Sequence, residues 1–291
     1  MRRRVLLRFA LALVFLAVFT LLAASSLPVP PAKDIEPAAV YIVEANSVVV
    51  ISYFPAPAAK AARVIQRLKE KQASGRFTDV QFILPTQDTQ GGSYVAYVGA
   101  GTLLKDNYVL SVAHLCTADD EELKGVKPIL WVLLKESDVG YEADVVFQTP
   151  SDPKVIFVPD YSLLKLRKDA HRRGAKVGSV PVRPGDQVIF SGSVKGTAFF
   201  MRYCRASEVQ QVIGRDDKGV LHLSYLCEFP LVTVHPAGPG DSGGGVFNTR
   251  GEIIGVMFAG TQIASEMYVF SFGLSMLREF LNKAGMGELL E

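Results

Sequence analysis

The chain has 291 residues, of which 49% are hydrophobic and 21% charged, so it has ample apolar material for a packed core and is not globally disordered. The formal net charge is +2, but four of the 31 basic residues lie among the first eight positions. Without those four, the 29 acidic residues slightly outnumber the basic ones, which removes any electrostatic reason to expect nucleic-acid binding.

The first 26 residues have the pattern of an export signal. Three arginines at positions 2–4 precede the apolar run 9–24, and small residues follow it. This order is typical of a cleaved signal peptide. Because the run is a little short of the roughly 20 residues that span a bilayer, an uncleaved signal anchor stays open as the alternative. Both interpretations predict an extracytoplasmic protein, secreted, periplasmic or tethered to the membrane through residues 9–24.

A proline- and alanine-rich linker is predicted for residues 27–38, followed by one domain over 39–285. The β-branched run 46–53 predicts a buried strand. Residues 58–73 are rich in helix formers with apolar residues on one side, which predicts a short amphipathic helix inside an insertion at about 54–90. We expect the basic side of this helix to face solvent.

Beyond this helix the pattern is that of a β protein. About a dozen short apolar runs alternate with turn signals, and the helical signal returns only at 275–282. Such spacing is typical of a barrel or a sandwich. The predicted strands cover 94–99, 101–104, 108–112, 129–135, 143–148, 163–166, 187–192, 208–213, 220–226, 245–247, 253–258 and 268–272.

The three cysteines fit no metal site, and no metal or cofactor is predicted. Cys204 and Cys227 flank the turn-like stretch 214–219, and a hairpin centred there would bring the two sulfurs opposite each other. The sequence leaves open a disulfide between them or two buried free thiols. Cys116 is predicted to be a free, partly buried core residue.

Ser242 lies in the glycine-rich segment 240–245, directly before a predicted strand. Glycines permit backbone conformations with positive φ and close approach of a substrate, as a site for an activated serine requires. The alternative is an ordinary Gly/Ser turn. Amides of Gly240 and Ser242 are the candidate donors to an oxyanion.

His114 is the candidate base, because it follows the apolar strand 108–112 at the end of a predicted hairpin. A histidine beside a strand is more often structural, and His235, which is closer to Ser242 in sequence, remains a competitor. His171 and His222 have no comparable setting.

Asp160 is the candidate orienter of the base, because it opens the strand-like run 160–166. An isolated Asp before a strand is usually a turn residue. Asp144, Asp152 and Asp186 are rivals, although none of them begins such a run.

Together the segments 111–115, 160–165 and 240–244 resemble the three signature blocks of trypsin-like, chymotrypsin-fold serine proteases, in the family order His, Asp, Ser. Further similarity at 47–51, 183–189 and 251–255 is closest to the exported bacterial HtrA-type branch. The resemblance implies an all-β fold of two six-stranded antiparallel β-barrels, here with a helical insertion and a C-terminal helix. It also implies a triad in which Ser242 is the nucleophile, His114 the base and Asp160 its orienter.

The chain departs from the family in two respects. No activation site of the trypsin type is present, so Asp241 is not expected to pair with a new N-terminus. Nothing in the 291 residues resembles the peptide-binding PDZ domain of HtrA-type proteins, so peptide-gated behaviour is not expected.

The resemblance also indicates where the side chain before the scissile bond would bind. The base of this pocket falls at Pro236 and Ala237, and one wall at Met257, Phe258, Ala259 and Gly260. No acidic residue lies at the base, which argues against a Lys/Arg preference and favours a modest apolar pocket. The alternative is that Met257 and Phe258 are core residues.

The sequence therefore predicts an exported serine endopeptidase that acts on protein or peptide substrates. A catalytically inactive binding or scaffold protein of the same fold is the main alternative, and an ester hydrolase using the same residues is another. The oligomeric state and natural substrate are not specified by the sequence.

Overall fold

In the computed structural model, the helices and strands belong to one unit that runs from Asp34 to Glu291. The predicted signal segment 1–26 and nearly all of the linker 27–38 lie outside the described residues. Within the described residues, no helix is both long and apolar enough to cross a membrane. The described residues are 35, 37–73, 81–87, 93–118, 120–135, 140–150, 159–183, 186–194, 198–205, 214–215, 221–222, 224–230, 240–263 and 266–291.

Helix α1 (Pro37–Asn46) opens the described chain, although the sequence patterns predict no helix there. Its apolar residues lie on all sides, so the 3.6-residue period that reveals an amphipathic helix is missing. Val43 is buried, whereas Tyr41 is 72% exposed. Proline is well suited to the first helical position because its missing N–H would have no intrahelical partner there.

The first barrel is a closed ring of six antiparallel strands, because β1 pairs with β5 on one side and with β3 on the other. The closed six-stranded barrel confirms this half of the predicted fold. A further strand, β2 (Gln81–Gln87), pairs with β3 on the edge opposite β1. It is not among the predicted strands. In ring order the six strands are β1 (Ser47–Pro55), β5 (Ile129–Leu134), β6 (Gly140–Gln148), β7 (Ser162–Leu166), β4 (Tyr108–Ser111) and β3 (Ser93–Leu103).

Helix α2 (Ala58–Ala73) begins and ends where the sequence predicts. Ala61, Val64, Ile65 and Leu68 are buried in the hydrophobic core of the barrel, and polar side chains cover the opposite side. The insertion is therefore packed against the barrel by an apolar face.

The second sheet also has six antiparallel strands, and β9 and β12 are its edges. Among the described residues no ladder joins these two edges, so the structure gives a six-stranded sheet here and not a closed second barrel. Strand β9 is not among the predicted strands, and the predicted strand 208–213 lies outside the described residues. In sheet order the strands are β12 (Ser224–Pro230), β15 (Glu266–Phe272), β14 (Ile253–Ile263), β13 (Gly245–Phe247), β8 (Gln187–Val194) and β9 (Ala198–Arg205).

A two-stranded hairpin of β10 (Gly214–Arg215) and β11 (Leu221–His222) precedes β12. Its register pairs Gly214 with His222. If this register continued without a bulge, Cys204 would not lie opposite Cys227. The two cysteines instead lie on the edge strands, Cys204 on β9 and Cys227 on β12. Their side chains are outside the described part of the structure, so the disulfide stays a prediction.

The C-terminal helix α3 (Leu274–Lys283) connects the two halves of the core. The ring of Phe280 stacks on Tyr161, with ring centroids 4.9 Å apart, and packs against Phe147 of β6 at 5.4 Å. Tyr161 also contacts Phe272 of the second sheet at 5.2 Å. One aromatic cluster therefore joins helix, barrel and sheet directly beside Asp160.

Candidate active site

His114 lies where β4 ends, in a single 3₁₀ turn formed by Ala113–Leu115. Its two neighbours in the turn are fully buried, which fixes the turn against the barrel core. The carbonyl of Ala113 accepts hydrogen bonds from the amide of Cys116 at 2.8 Å and from the hydroxyl of Thr117 at 3.0 Å. The histidine therefore comes from the rigid end of a strand.

Asp160 contacts His114 twice. One carboxylate oxygen accepts a hydrogen bond from the His114 amide at 2.9 Å, and the other is paired with Nδ1 of the ring. The topology explains this contact, because β4 and β7 are neighbours and Ser111 pairs with Ser162. The side chains of His114 and Asp160 are only 14% and 15% exposed, so solvent screens their interaction weakly.

The backbone beside Asp160 is fixed by further hydrogen bonds. Tyr161 and Thr149 are joined reciprocally, since the Tyr161 amide donates to the Thr149 hydroxyl and the Thr149 amide donates to the Tyr161 carbonyl, each at 2.9 Å. The Ser162 hydroxyl donates to the carbonyl of Val112 at 3.0 Å. The chain that carries Asp160 is therefore anchored to both neighbouring strands.

The rivals for these roles lie elsewhere or outside the described residues. Asp144 is exposed and bonded to Arg167, and Asp186 accepts a hydrogen bond from the Arg183 amide. His171 is an exposed residue paired with Asp169. Neither Asp152 nor His235 is described, and of His222 only the backbone is.

Ser242 lies in a tight turn between Gly240 and Gly243, whose φ angles are +102° and +90°. The turn is fixed by its backbone: the Ser242 carbonyl accepts from the Ala100 amide, and the Gly243 amide donates to the Met257 carbonyl, both at 2.8 Å. Ser242 itself is 2% exposed. The turn is therefore docked on β3 of the barrel on one side and on β14 of the second sheet on the other.

Gly99 and Ala100 of β3 support both the histidine turn and the serine turn, a role that the sequence patterns do not indicate. A side chain at Gly99 would collide with Leu115, next to His114, and with the carbonyl of Ser242. The missing side chain of Gly99 thus lets the histidine turn and the serine turn approach the same point of β3. The one sequence signal for this support is the presence of two glycines in the run 99–101.

We expect Gly243→Ala to destabilise the folded protein and abolish most activity. A Cβ atom at Gly243 would overlap the carbonyl oxygen of Ala100 and the hydroxyl of Ser111, since both would be much closer than 3.0 Å. The φ angle of +90° is also unfavourable for any residue with a side chain. Strain and overlap together should cost about 2–4 kcal/mol in the free energy of unfolding, measured by denaturant titration.

Gly125→Ala is the matched control for this prediction. Gly125 also has positive φ, +77°, but nothing lies within 4 Å of the point that a Cβ would occupy. The substitution should cost only about 1 kcal/mol, the conformational part of the effect. Equal destabilisation by the two substitutions would show that the Ser242 turn tolerates a side chain.

Cys116 is free and buried, as predicted. Burial raises the pKa of its thiol to about 12; a hydrogen bond with Ser162 offsets part of this rise, and the charge of Asp160 adds to it. The thiol is thus protonated at neutral pH and does not compete with Ser242 as a nucleophile, although it lies two residues from His114.

The residues assigned to the specificity pocket are only partly described. Pro236 and Ala237 lie outside the described residues, and of Ala259 and Gly260 only the backbone is described. Met257 and Phe258 are buried in the core, and the ring of Phe258 stacks on Phe272 with centroids 4.0 Å apart. Their burial favours the core interpretation that the sequence left open, and the pocket stays a prediction.

Comparison with known proteins agrees with this geometry. Residues 99–256 match the family model of the trypsin-like peptidase domain. The structure is similar to the crystal structure of the Rv3671c protease from M. tuberculosis in its active form, with 20% identity, coverage of 90% of this chain and 92% of that chain, and a TM-score of 0.55. The inactive form gives 19% identity, 88% and 99% coverage, and a TM-score of 0.52.

Identities at this level show a shared fold and no more. No curated protein sequence matches the chain. The family match spans more than half of the 291 residues and includes His114, Asp160 and Ser242. The chain therefore belongs to the trypsin-like peptidase family and is a serine-type peptidase.

Proposed function

We propose that this protein is an exported serine endopeptidase that hydrolyses peptide bonds through an acyl-enzyme intermediate. Ser242 is the nucleophile, His114 the general base and then acid, and Asp160 the orienter of the imidazole. The observation that supports this assignment best is the double contact of Asp160 with the ring and the amide of His114.

Each residue has a defined task in this mechanism. His114 donates its Nδ1 proton to Asp160 in a hydrogen bond, so Nε2 is the nitrogen that takes the proton of the Ser242 hydroxyl. The serine oxygen attacks the carbonyl carbon, and amides of Gly240 and Ser242 donate to the oxyanion. The protonated imidazole then gives its proton to the leaving amine, and a water molecule, activated by the same nitrogen, hydrolyses the ester.

The hydrogen bonds of the turn agree with this choice of oxyanion donors. The Gly243 amide already donates to the Met257 carbonyl, and the Gly244 amide to the Asp241 carbonyl at 2.9 Å. The amides of Gly240 and Ser242 precede these two in the turn. Donors fixed before the reaction need no reorganisation as charge develops.

Two further elements belong to the proposal. We infer that the second sheet closes into a barrel through β9 and β12, since exposed strand edges promote aggregation and β9 and β12 are the two edges of the sheet. We also infer an extracytoplasmic location, from the basic and apolar pattern of residues 1–26.

Reaction with a fluorophosphonate probe tests the proposal, because such a probe modifies a serine only when its hydroxyl is activated. We expect one equivalent of label at neutral pH, and peptide mapping should find it on Ser242. Ser242→Ala protein, folded to the same extent, should remain unlabelled. An unlabelled wild type would favour a binding or scaffold protein, and label on another serine would contradict the assignment of the nucleophile.

A further inference from the structure

A cluster of charges joins the insertion helix to the segment that follows His114. Two guanidinium nitrogens of Arg67, in α2, donate to the two carboxylate oxygens of Asp120 at 3.0 and 2.8 Å. A third nitrogen of Arg67 lies 2.7 Å from Glu122, and Arg63, one turn earlier, reaches Glu122 at 3.1 Å. We call these four residues the clamp.

The clamp holds the far end of what we call the histidine loop, the described residues 113–118 and 120–123. Asp120 is 4% exposed and also accepts a hydrogen bond from the Glu122 amide at 2.9 Å, which caps the short 3₁₀ turn Glu121–Leu123. Leu123 is fully buried below it. The loop is thus fixed at one end by Asp160, through His114, and at the other by Arg67, through Asp120.

The histidine loop is held by α2 at its far end. The apolar face of α2 is part of the barrel core, so this helix provides a rigid attachment point. The loop also lines a groove of about 970 Å³, together with the segment 143–148 of β6. Beyond the buried turn Ala113–Leu115, the described ion pairs that join the loop to a helix come from α2.

We propose that Arg67 is a positioning residue for the peptidase reaction: it holds the histidine loop so that the His114 ring keeps its alignment with Asp160. The proposal rests on the proposed function, since it requires His114 to be the base. A bidentate guanidinium–carboxylate pair suits this task, because it fixes orientation as well as distance. Displacement of a catalytic group by about 1 Å can lower the rate about 100-fold.

Glu122 of the clamp keeps its charge over the pH range in which an ordinary histidine titrates. Hydrogen bonds from Arg63 and Arg67 lower the pKa of Glu122 below its ordinary value. A carboxylate with a lowered pKa contributes stability above the pKa of the unfolded chain and loses it only as pH falls through the lowered value. The contribution of Glu122 therefore persists at about pH 5–8, the range in which an unperturbed histidine changes charge.

Steady-state kinetics on Arg67→Ala and Arg67→Lys test the proposal. We expect Arg67→Ala to lower kcat about 10- to 100-fold with KM changed less than about twofold, because in the proposal Arg67 acts through the loop and not on the substrate. Arg67→Lys keeps the charge but loses the two-donor fork, so its loss should be smaller. Lys69→Ala removes a cation from the exposed side of the same helix and should leave kcat unchanged.

The pH profile separates positioning from a general loss of structure. A ring held less closely to the Asp160 carboxylate loses part of the stabilisation of its protonated form. The acid limb of the kcat/KM profile should therefore shift to lower pH in Arg67→Ala. If the substitution only reduced the fraction of folded enzyme, the rate would fall but the acid limb would stay at the same pH. Exchanging the charges, Arg67→Asp with Asp120→Arg, should recover part of kcat relative to Arg67→Asp alone.

Thermal unfolding and probe labelling of each variant complete the experiment. If Arg67→Ala or Arg67→Lys is folded and has the wild-type kcat and acid limb, the positioning role is wrong while the peptidase assignment stands. If the wild type shows no peptidase activity that depends on Ser242, the proposed function itself fails. The two failures are thus distinguishable.

Discussion

Ser242→Ala is expected to lower kcat about 10⁴- to 10⁶-fold on a peptide substrate, the largest single effect in this protein. In the proposed mechanism no acyl-enzyme forms without this hydroxyl, and the remaining rate comes from binding and the oxyanion donors alone. The measurement is kcat with a quenched peptide, on protein purified without any wild-type contamination, since traces of active enzyme would dominate the residual rate.

The fold should not suffer from this substitution. The contact that docks the turn on β3 uses the Ser242 carbonyl, which accepts from the Ala100 amide, and alanine retains that carbonyl. The thermal midpoint of Ser242→Ala should therefore match that of the wild type. Retention of more than about one per cent of the activity would contradict the nucleophile assignment.

Asp160→Asn is expected to lower kcat about 10⁴-fold at neutral pH with little change in KM. The carboxylate accepts from both the amide and the Nδ1 of His114. An asparagine can orient its NH₂ group toward the ring, which favours the tautomer with the proton on Nε2, so the nitrogen that faces Ser242 in the proposed mechanism can no longer act as a base. The loss should be partly reversed at high pH, where hydroxide assists proton removal.

Asp144→Asn is the matched control for Asp160→Asn. Asp144 lies on β6, next to β7, but it is an exposed carboxylate bonded to Arg167. Arg167 lowers the pKa of Asp144, so this pair contributes stability that is present above about pH 4 and is lost as pH falls further. Its removal should change kcat less than about twofold. Equal losses in the two variants would place the orienter elsewhere, with Asp152 the next candidate.

The contact between His114 and Asp160 could be predicted from the order of three motifs that resemble a known family, and helix α2 from a strong local signal. His114 and Asp160 both occur at ends of apolar strands, and the apolar side of 58–73 has a clear helical period. Helix α1 could not be predicted in this way because its apolar residues have no such period. The clamp could not be predicted either, because Arg67 and Asp120 are far apart in sequence and ordinary helix and loop charges usually face solvent.

The limits of prediction are different at the specificity pocket. A short motif fixes the backbone of a turn, as at Gly243, but substrate preference depends on the side chains that line the pocket, and these come from other segments of the chain. The family resemblance assigns Met257 and Phe258 to a pocket wall, and their side chains are buried in the structure. Whether an apolar side chain is in a core or beside a substrate depends on packing, which a linear pattern does not describe.

The pairing of β4 with β7 has a consequence for when this enzyme becomes active. His114 and Asp160 meet within one barrel, whose last strand ends at Leu166, whereas Ser242 is supplied by a turn that belongs to the second sheet. In the proposed mechanism, the base and its orienter thus come from the part of the chain before residue 167, and the nucleophile comes from the part after it. Peptidase activity then requires the docking of the serine turn on Ala100 as well as a folded first barrel.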